Sequence, residues 1–368
     1  MQADRRTQRS YGDYAIAVVC AKEFEMSAIR YMLEHEHYPV PTASKDSNLY
    51  IFGELSGHNV ILACLPGRQG KASAAAVTTD MRRSFPSVSW ILLVGIGRGV
   101  PSLKNDIRLG DVVVSMPEGE YGGVVEYDLG EALENGFKRM GFLYPPPAKV
   151  RNAAILMRST HRVLQNKVNQ ILKAMVEMNP GFSSYKRPST ELDVLFDPDY
   201  YHTSSKSNCD ACDKTRAIIR PAREQQFPMI HYGLVASGDR LIESVSQRTA
   251  LAEDIGDILC FEMEAAGIAT HLPCMVIRGI SQYADSHNNG SWQYYAAAAA
   301  AACAKDLLSY IPPPDLPAMQ TSISLLGPKE AYNKINQPIS VSKLNGTGIQ
   351  YSSNGNLSSD RGFHTVMP

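Results

Sequence analysis

The chain has 368 residues, 44% of them hydrophobic and 20% charged, which is ordinary globular composition and excludes a fibrous or wholly disordered protein. A formal net charge of −1 supplies no field to draw in nucleic acid or an anionic membrane, and no run approaches the ~18 apolar residues of a membrane span. The opening MQADRRTQRSYGD lacks the apolar stretch of an export signal. Cys20, Cys64, Cys260, Cys274 and Cys303 sit in apolar runs, as small hydrophobes do. A reduced, cytoplasmic protein is therefore expected.

In chain order, residues 1–13 are polar and expected to be flexible. YAIAVVC (14–20) is a β-branched strand run, followed by helical spacing in AKEFEMSAIRYMLEHE. Residues 48–66 hold two strand runs around Ser56-Gly57-His58-Asn59, a hairpin pattern. Residues 70–85 are an alanine-rich helix, 89–100 a buried strand ending in glycines, and 107–119 a further strand. The stretch 159–178 has the spacing of one long amphipathic helix. From 179 to 228 the chain turns rich in Pro, Ser, Asp and Tyr without a clear period, which predicts a long insertion. Strand patterning returns at 229–239 and in CMVIRGISQYAD (274–285), and an alanine-rich helix (291–311) precedes the prolines at 312–314. The remainder, 315–368, is a low-complexity tail expected to be disordered, with Asn/Gly/aromatic spacing over 345–363 that also suits a cross-β assembly. Strands alternating with helices, several of the strands solidly apolar, predict an α/β fold: a sandwich around a central parallel or mixed sheet spanning 14–314.

In such a sheet ligands lie beyond the carboxyl ends of the strands, so the candidate residues are in the loops there. CFEMEAAGIATHLP (260–273) places Glu262 and Glu264 in an apolar segment, and alternation puts them opposite Phe261 and Met263. Gly97 and Gly99 in GIGRGV serve either as tight-turn residues or as anion-binding backbone. Glu25 at the first strand–helix turn is either a first-turn carboxylate favoured by the helix dipole or a base that orients water. Ser237 and Asp239 follow a strand, and Asp239 could cap a helix. Arg68, Lys71, Arg98 and Arg240 are solvated surface charge or a cradle for phosphates. No P-loop, GxGxxG or GxSxG spacing is present, so no cofactor is expected. His202, Cys209 and Cys212 are three candidate zinc ligands, one short of a structural set, and no metal is expected.

Taken together, AIAVVCAKEFEM, LVGIGRGVPS, DIRLGDVVVS, VASGDRLI, FEMEAAGI and VIRGISQYADSH resemble the nucleoside phosphorylase and nucleosidase superfamily. More narrowly they resemble the domain that fungi place at the front of NLR-type immune receptors, which the insertion and HYGLVASG also match. The resemblance covers Tyr14 to Ile311. It implies a three-layer sandwich around a central mixed β-sheet, and cleavage of the N-glycosidic bond of a purine nucleoside or nucleotide by a homo-oligomer. It also implies that Met263 and Glu264 bind the ribose, flanked by Phe261 and Glu262, and that Glu25 orients water. CAKEFEM lacks the arginine-bearing phosphate loop of the hexameric phosphorylases, so the resemblance favours hydrolysis. Ser281-Gln282 stands where the family has Ser-Asp, the Asp being the proton donor to the purine. An amide has no proton to give, so Asp285, three residues on, is the candidate substitute. The alternatives are a nucleotide-binding signalling module with little turnover and a phosphate-dependent nucleoside phosphorylase.

Overall fold

The computed structural model describes residues 6–164, 166–202, 209–288 and 290–313. They belong to one compact unit, Met1–Pro314. The low-complexity tail and its cross-β reading lie outside the described residues, as do residues 1–5.

The regular elements, in order, are β1 (Ile16–Cys20), α1 (Glu23–Met32), β2 (His35–Glu36), β3 (Tyr50–Leu55), β4 (His58–Cys64), α2 (Lys71–Ser84), β5 (Trp90–Gly99), β6 (Val112–Ser115), β7 (Val124–Glu126), β8 (Gly130–Leu133), β9 (Gly136–Arg139), α3 (Ala148–Val163), α4 (Lys167–Met178), β10 (Ile230–Ser237), α5 (Val245–Ile255), β11 (Ile258–Glu262), α6 (Ala265–Ala269), β12 (Cys274–Tyr283) and α7 (Gln293–Ser309). The main sheet runs β11-β10-β6-β12-β5-β1-β4-β3-β2, with β7 added to β10. It is mixed: β1 is parallel to β4 and β5, β12 is parallel to β5 and antiparallel to β6, and β3–β4 is the predicted hairpin. β1 and β12 are buried along their whole length, because helices cover both faces and a solvated side would expose their apolar runs. The alanine-rich α7 lies directly on β12. A Cβ added at Gly279 would stand 1.8 Å from the Ala296 carbonyl oxygen, so only glycine on the strand permits this contact.

β5 makes the site possible. Over Trp90–Leu93 it pairs with β1; at Arg98 and Gly99 it has crossed to pair antiparallel with β11. Between these pairings, at Gly95-Ile96-Gly97, it leaves β1 and opens a slot in the sheet. On its other side it stays in register with β12, Gly95 opposite Arg278 and Gly97 opposite Ile280, until a bulge between Ile280 and Gln282. A bulge re-aims the side chains that follow it.

Three expectations are corrected. Residues 6–13 are not loose: Thr7 bridges to His37, the Tyr38 N–H donates to the Thr7 carbonyl, and Tyr11–Asp13 form a 3₁₀ turn. The single helix over 159–178 is two, because Leu164 is extended (φ −118°, ψ 159°) and Asn166 restarts the helix by capping the Val168 N–H. The strand over 107–119 is shorter, Val112–Ser115. The insertion, where described, contains 3₁₀ turns at Pro180–Tyr185, Thr190–Leu192 and Lys214–Arg216 and buries Phe182, Tyr185, Leu195 and Phe196.

Candidate active site

Beyond the carboxyl ends of β1, β5, β11 and β12 lies a cleft of about 260 Å³, with Glu25, Ile96, Gly97, Met263, Glu264 and Arg278 among its walls. Glu25 enters from the first turn of α1. Its Oε2 accepts the Ala21 and Lys22 N–H groups, both at 2.9 Å. Its Oε1 accepts the Ile96 N–H at 2.8 Å, at the point where β5 has left β1. The slot in the sheet thus exposes a backbone donor, and the carboxylate satisfies it. A carboxylate has about four acceptor sites; three are occupied, which leaves one for a further donor. Burial raises the Glu25 pKa against the pull of Arg278 and these N–H groups.

Arg278, on β12 and 1% exposed, organises the other two acids. Its Nη2 donates to Glu262 Oε2 at 2.5 Å and to Glu264 Oε2 at 2.9 Å. Glu262 ends β11 and accepts the N–H groups of Glu264 (3.0 Å) and Ala265 (3.1 Å), so it is occupied with starting α6. Glu264 caps that helix at αR torsions and accepts the Gly70 N–H at 3.3 Å. Alternation along one strand is not what brings the two acids together, since β11 stops at Glu262. They meet because the chain turns into α6 and both reach the same guanidinium. Burial, with Glu262 and Glu25 nearby, lifts Glu264 to about 7 although Arg278 pulls it down. Burial is the larger cause, and the neighbouring carboxylates, of which Glu262 shares the Arg278 guanidinium with Glu264, add to it.

Gly95 is required by this cluster. An added Cβ would lie 2.5 Å from Arg278 Nη1 and 2.6 Å from Glu25 Oε1; that oxygen is held by the Ile96 N–H, and the guanidinium is held through its Nη2.

Phe261, Ser281, Gln282, Arg98 and Arg240 also line the cleft. Gln282 sits just after the bulge, and its Nε2 donates to Asn288 Oδ1. Several predicted residues are placed elsewhere. Ser237 is fully buried and accepts the Ala266 N–H at 2.9 Å. Asp285 is buried, accepts the His287 N–H at 2.8 Å and does not line the cleft, and burial raises its pKa. Arg68 is exposed outside the lining, with its neighbour Gln69 in its place. Lys71 turns away to Glu126 (2.6 Å) and Asp128 (2.7 Å); burial lowers its pKa, and these two acids more than reverse that. Asp239 is not the N-cap of the helix that follows it, α5, which Ser244 caps; its Oδ1 accepts the Lys71 N–H at the start of α2 at 2.9 Å. Arg98 is paired with Glu243 at 2.8 Å. His202, Cys209 and Cys212 bring their ligand atoms within 4.8 Å of one another.

The reading of the residues overlooked Arg278, Lys22, Gln69, Glu243 and Asn288. Arg278 had a signal: an arginine in the middle of the apolar run CMVIRGIS must find acidic partners when buried, and FEME supplies them.

No protein-family model matches the chain. It is 39% identical over 313 residues, 84% of its length, to a nucleotide-binding leucine-rich repeat (NLR)-like protein of Hyaloscypha variabilis. It is 26% identical over 152 residues, 39% of its length and 61% of the relative's, to the aminodeoxyfutalosine nucleosidase of Helicobacter pylori. Among solved structures, the 5′-methylthioadenosine/S-adenosylhomocysteine nucleosidase of Neisseria meningitidis, in complex with methylthio-immucillin-A, superposes with TM-score 0.52 at 19% identity, covering 81% of this chain and 99% of that one. The futalosine hydrolase of H. pylori gives 0.51 at 17%, with coverages of 81% and 99%. The chain has the fold of these nucleosidases. It spans about a third (31%) of the length of its NLR-like relative. No described helix is long and apolar enough to cross a membrane.

Proposed function

We propose that the protein is a nucleosidase that hydrolyses the N-glycosidic bond of a purine nucleoside or nucleotide. The observation that carries this reading is the Glu25–Glu264–Arg278 cluster on the cleft floor. Glu264, ionised, accepts the two vicinal hydroxyls of a ribose, a task suited to a carboxylate held rigid by Arg278. Met263 packs against the sugar. The remaining acceptor site of Glu25 holds the attacking water, and the buried carboxylates stabilise the positive charge that develops on the sugar in an oxocarbenium-like transition state. Gln282 hydrogen-bonds the base. It cannot protonate it, a deficit worth on the order of 10²–10⁴ in rate, so turnover is slow unless another group supplies the proton. The similar proteins named as nucleosidases support this reading, and the similarity to an NLR-like protein supports a role in fungal self-defence.

A nucleotide would have to draw Arg98 from Glu243 and use Arg240, since Lys71 is already occupied by Glu126 and Asp128. A free nucleoside needs neither change.

The test is incubation with adenosine, inosine and ATP, with and without inorganic phosphate, followed by chromatography of base and sugar. Free base with ribose (or, from ATP, ribose triphosphate) at a phosphate-independent rate is expected. Release that requires phosphate and yields ribose 1-phosphate would make the protein a phosphorylase. Tight nucleoside binding with no release would make it a binding module.

A further inference from the structure

Outside the cleft, the insertion and the segment after β12 bring four residues together that the nucleosidase reading does not use. His202 Nδ1 stands 3.2 Å from Cys212 Sγ and 4.0 Å from Cys209 Sγ. A tetrahedral zinc ion, with bonds of about 2.3 Å to sulfur and 2.0–2.1 Å to nitrogen, requires nitrogen–sulfur separations of about 3.6 Å. The observed pair of distances brackets that value. The cysteines have the two-residue spacing of a zinc knuckle, and both are free thiols.

His287 supplies the fourth ligand that the sequence did not reveal. Its side chain is 5% exposed, yet neither ring nitrogen has a hydrogen-bond partner. A buried imidazole left so has lost its hydration at both nitrogens without a replacement, which is unfavourable. Its ring centroid is 5.7 Å from that of His202, and stacking on Phe196 at 4.1 Å and Tyr200 at 5.3 Å fixes its plane. The thiol of Cys209 meets the carbonyl of the next residue, Asn288, at 3.9 Å. On the other side, Asp285 Oδ1 lies 3.8 Å from His287 Nδ1.

We propose that His202, Cys209, Cys212 and His287 form a structural zinc site that clamps the insertion to the segment following β12. Two thiolates and two imidazoles are a donor set that selects zinc among the common divalent cations, and four protein ligands leave no open position for catalysis. Asp285 faces Nδ1 of His287, which leaves Nε2 for the metal, the usual outer carboxylate–histidine–zinc arrangement. Binding deprotonates both thiols and releases their protons to solvent. The site stands apart from the proposed reaction but not from the cleft: Asn288, next to His287, accepts the Gln282 amide, so the clamp also fixes one wall.

The experiment uses the full chain, purified without chelator under reducing conditions, with zinc measured by mass spectrometry and cobalt(II) substituted for it. One zinc per chain is expected, with thiolate-to-cobalt charge transfer and the intense visible bands of tetrahedral cobalt. Cys209→Ser and Cys212→Ser should each lose the charge-transfer intensity of one thiolate. His287→Ala should bind zinc at least tenfold more weakly. Chelator competition on the unmutated protein decides the case if the variants misfold: zinc should be retained against a weak chelator, and its removal should lower the melting temperature. Failure of the reduced protein to take up zinc, a Cys209–Cys212 disulfide in protein from reducing cells, or a His287→Ala protein with unchanged affinity and cobalt spectrum would overturn the proposal.

Discussion

The floor of the cleft and the insertion are held by different physics. The floor is built on β5, β11 and β12, whose backbones are fixed by sheet pairing, and its acids are locked by N–H groups and by Arg278. Among its described residues the insertion has only short 3₁₀ turns and one isolated bridge, Phe196 to Ala217. It relies on side chains: the Phe196–His287 stack, the Tyr283 hydroxyl on Asp193 at 2.5 Å, and Arg220 paired with Asp193 at 3.0 Å. A sheet can hold unfavourable charge in place because its backbone does not depend on that charge. A segment without regular pairing must draw its order from local cross-links. Damage to the floor should therefore be global, and damage to the insertion local.

The largest effect should come from Arg278→Met, which leaves three buried acids without their cation. Breaking a buried ion pair from one side costs about 3–5 kcal/mol, and denaturant unfolding should show a loss of that order for the whole domain. Gly95→Ala should follow, at about 1–3 kcal/mol, because the new methyl displaces Arg278 and Glu25; nucleoside binding should fail even where the fold survives, as calorimetry would show.

Glu264→Gln sharpens the comparison by acting in the opposite direction on stability. Glu264 is raised from its ordinary 4.5 to about 7, so the folded protein holds this proton more tightly than the unfolded chain does. The stability this contributes is complete below about pH 4.5 and is lost as the pH climbs through 7. Melting curves from pH 5 to 8 should fall for the native protein and flatten for Glu264→Gln, with the variant the more stable at pH 8. Ligand affinity should show the reverse, rising with pH as Glu264 ionises and absent in the variant. The smallest global effect should come from Phe196→Ala. Limited proteolysis should open the insertion within 190–220, while the main unfolding transition shifts by less than about 1 kcal/mol.

Much of the floor was legible in the sequence. Glu25 could be placed at the first strand–helix turn because a strand run passes directly into helical spacing, whereas Met263 and Glu264 were reached through the family resemblance and not through the pattern. The alternation argument put Glu262 and Glu264 on one side for the wrong reason, since a strand's period of two ends where α6 begins. The break before Asn166 carried a visible cap residue that the helical period masked. Lys71 could not be placed from its own loop, because its partners Glu126 and Asp128 come from β7 and the residues after it, and such non-local pairing leaves no local pattern. Asp285 illustrates the same limit. Its spacing from Gln282 suggested the cleft, but the bulge in β12 re-aims the chain and turns it toward His287 instead.

The central claim is that Glu25 and Glu264 divide water activation from ribose binding within one preorganised cluster. Its most direct test is a paired measurement on Glu25→Ala: nucleoside affinity by calorimetry, and base release by chromatography in phosphate-free buffer. The account predicts affinity within a fewfold of the native protein's and base release reduced by at least a hundredfold. Undiminished release would remove Glu25 from the chemistry and contradict the account.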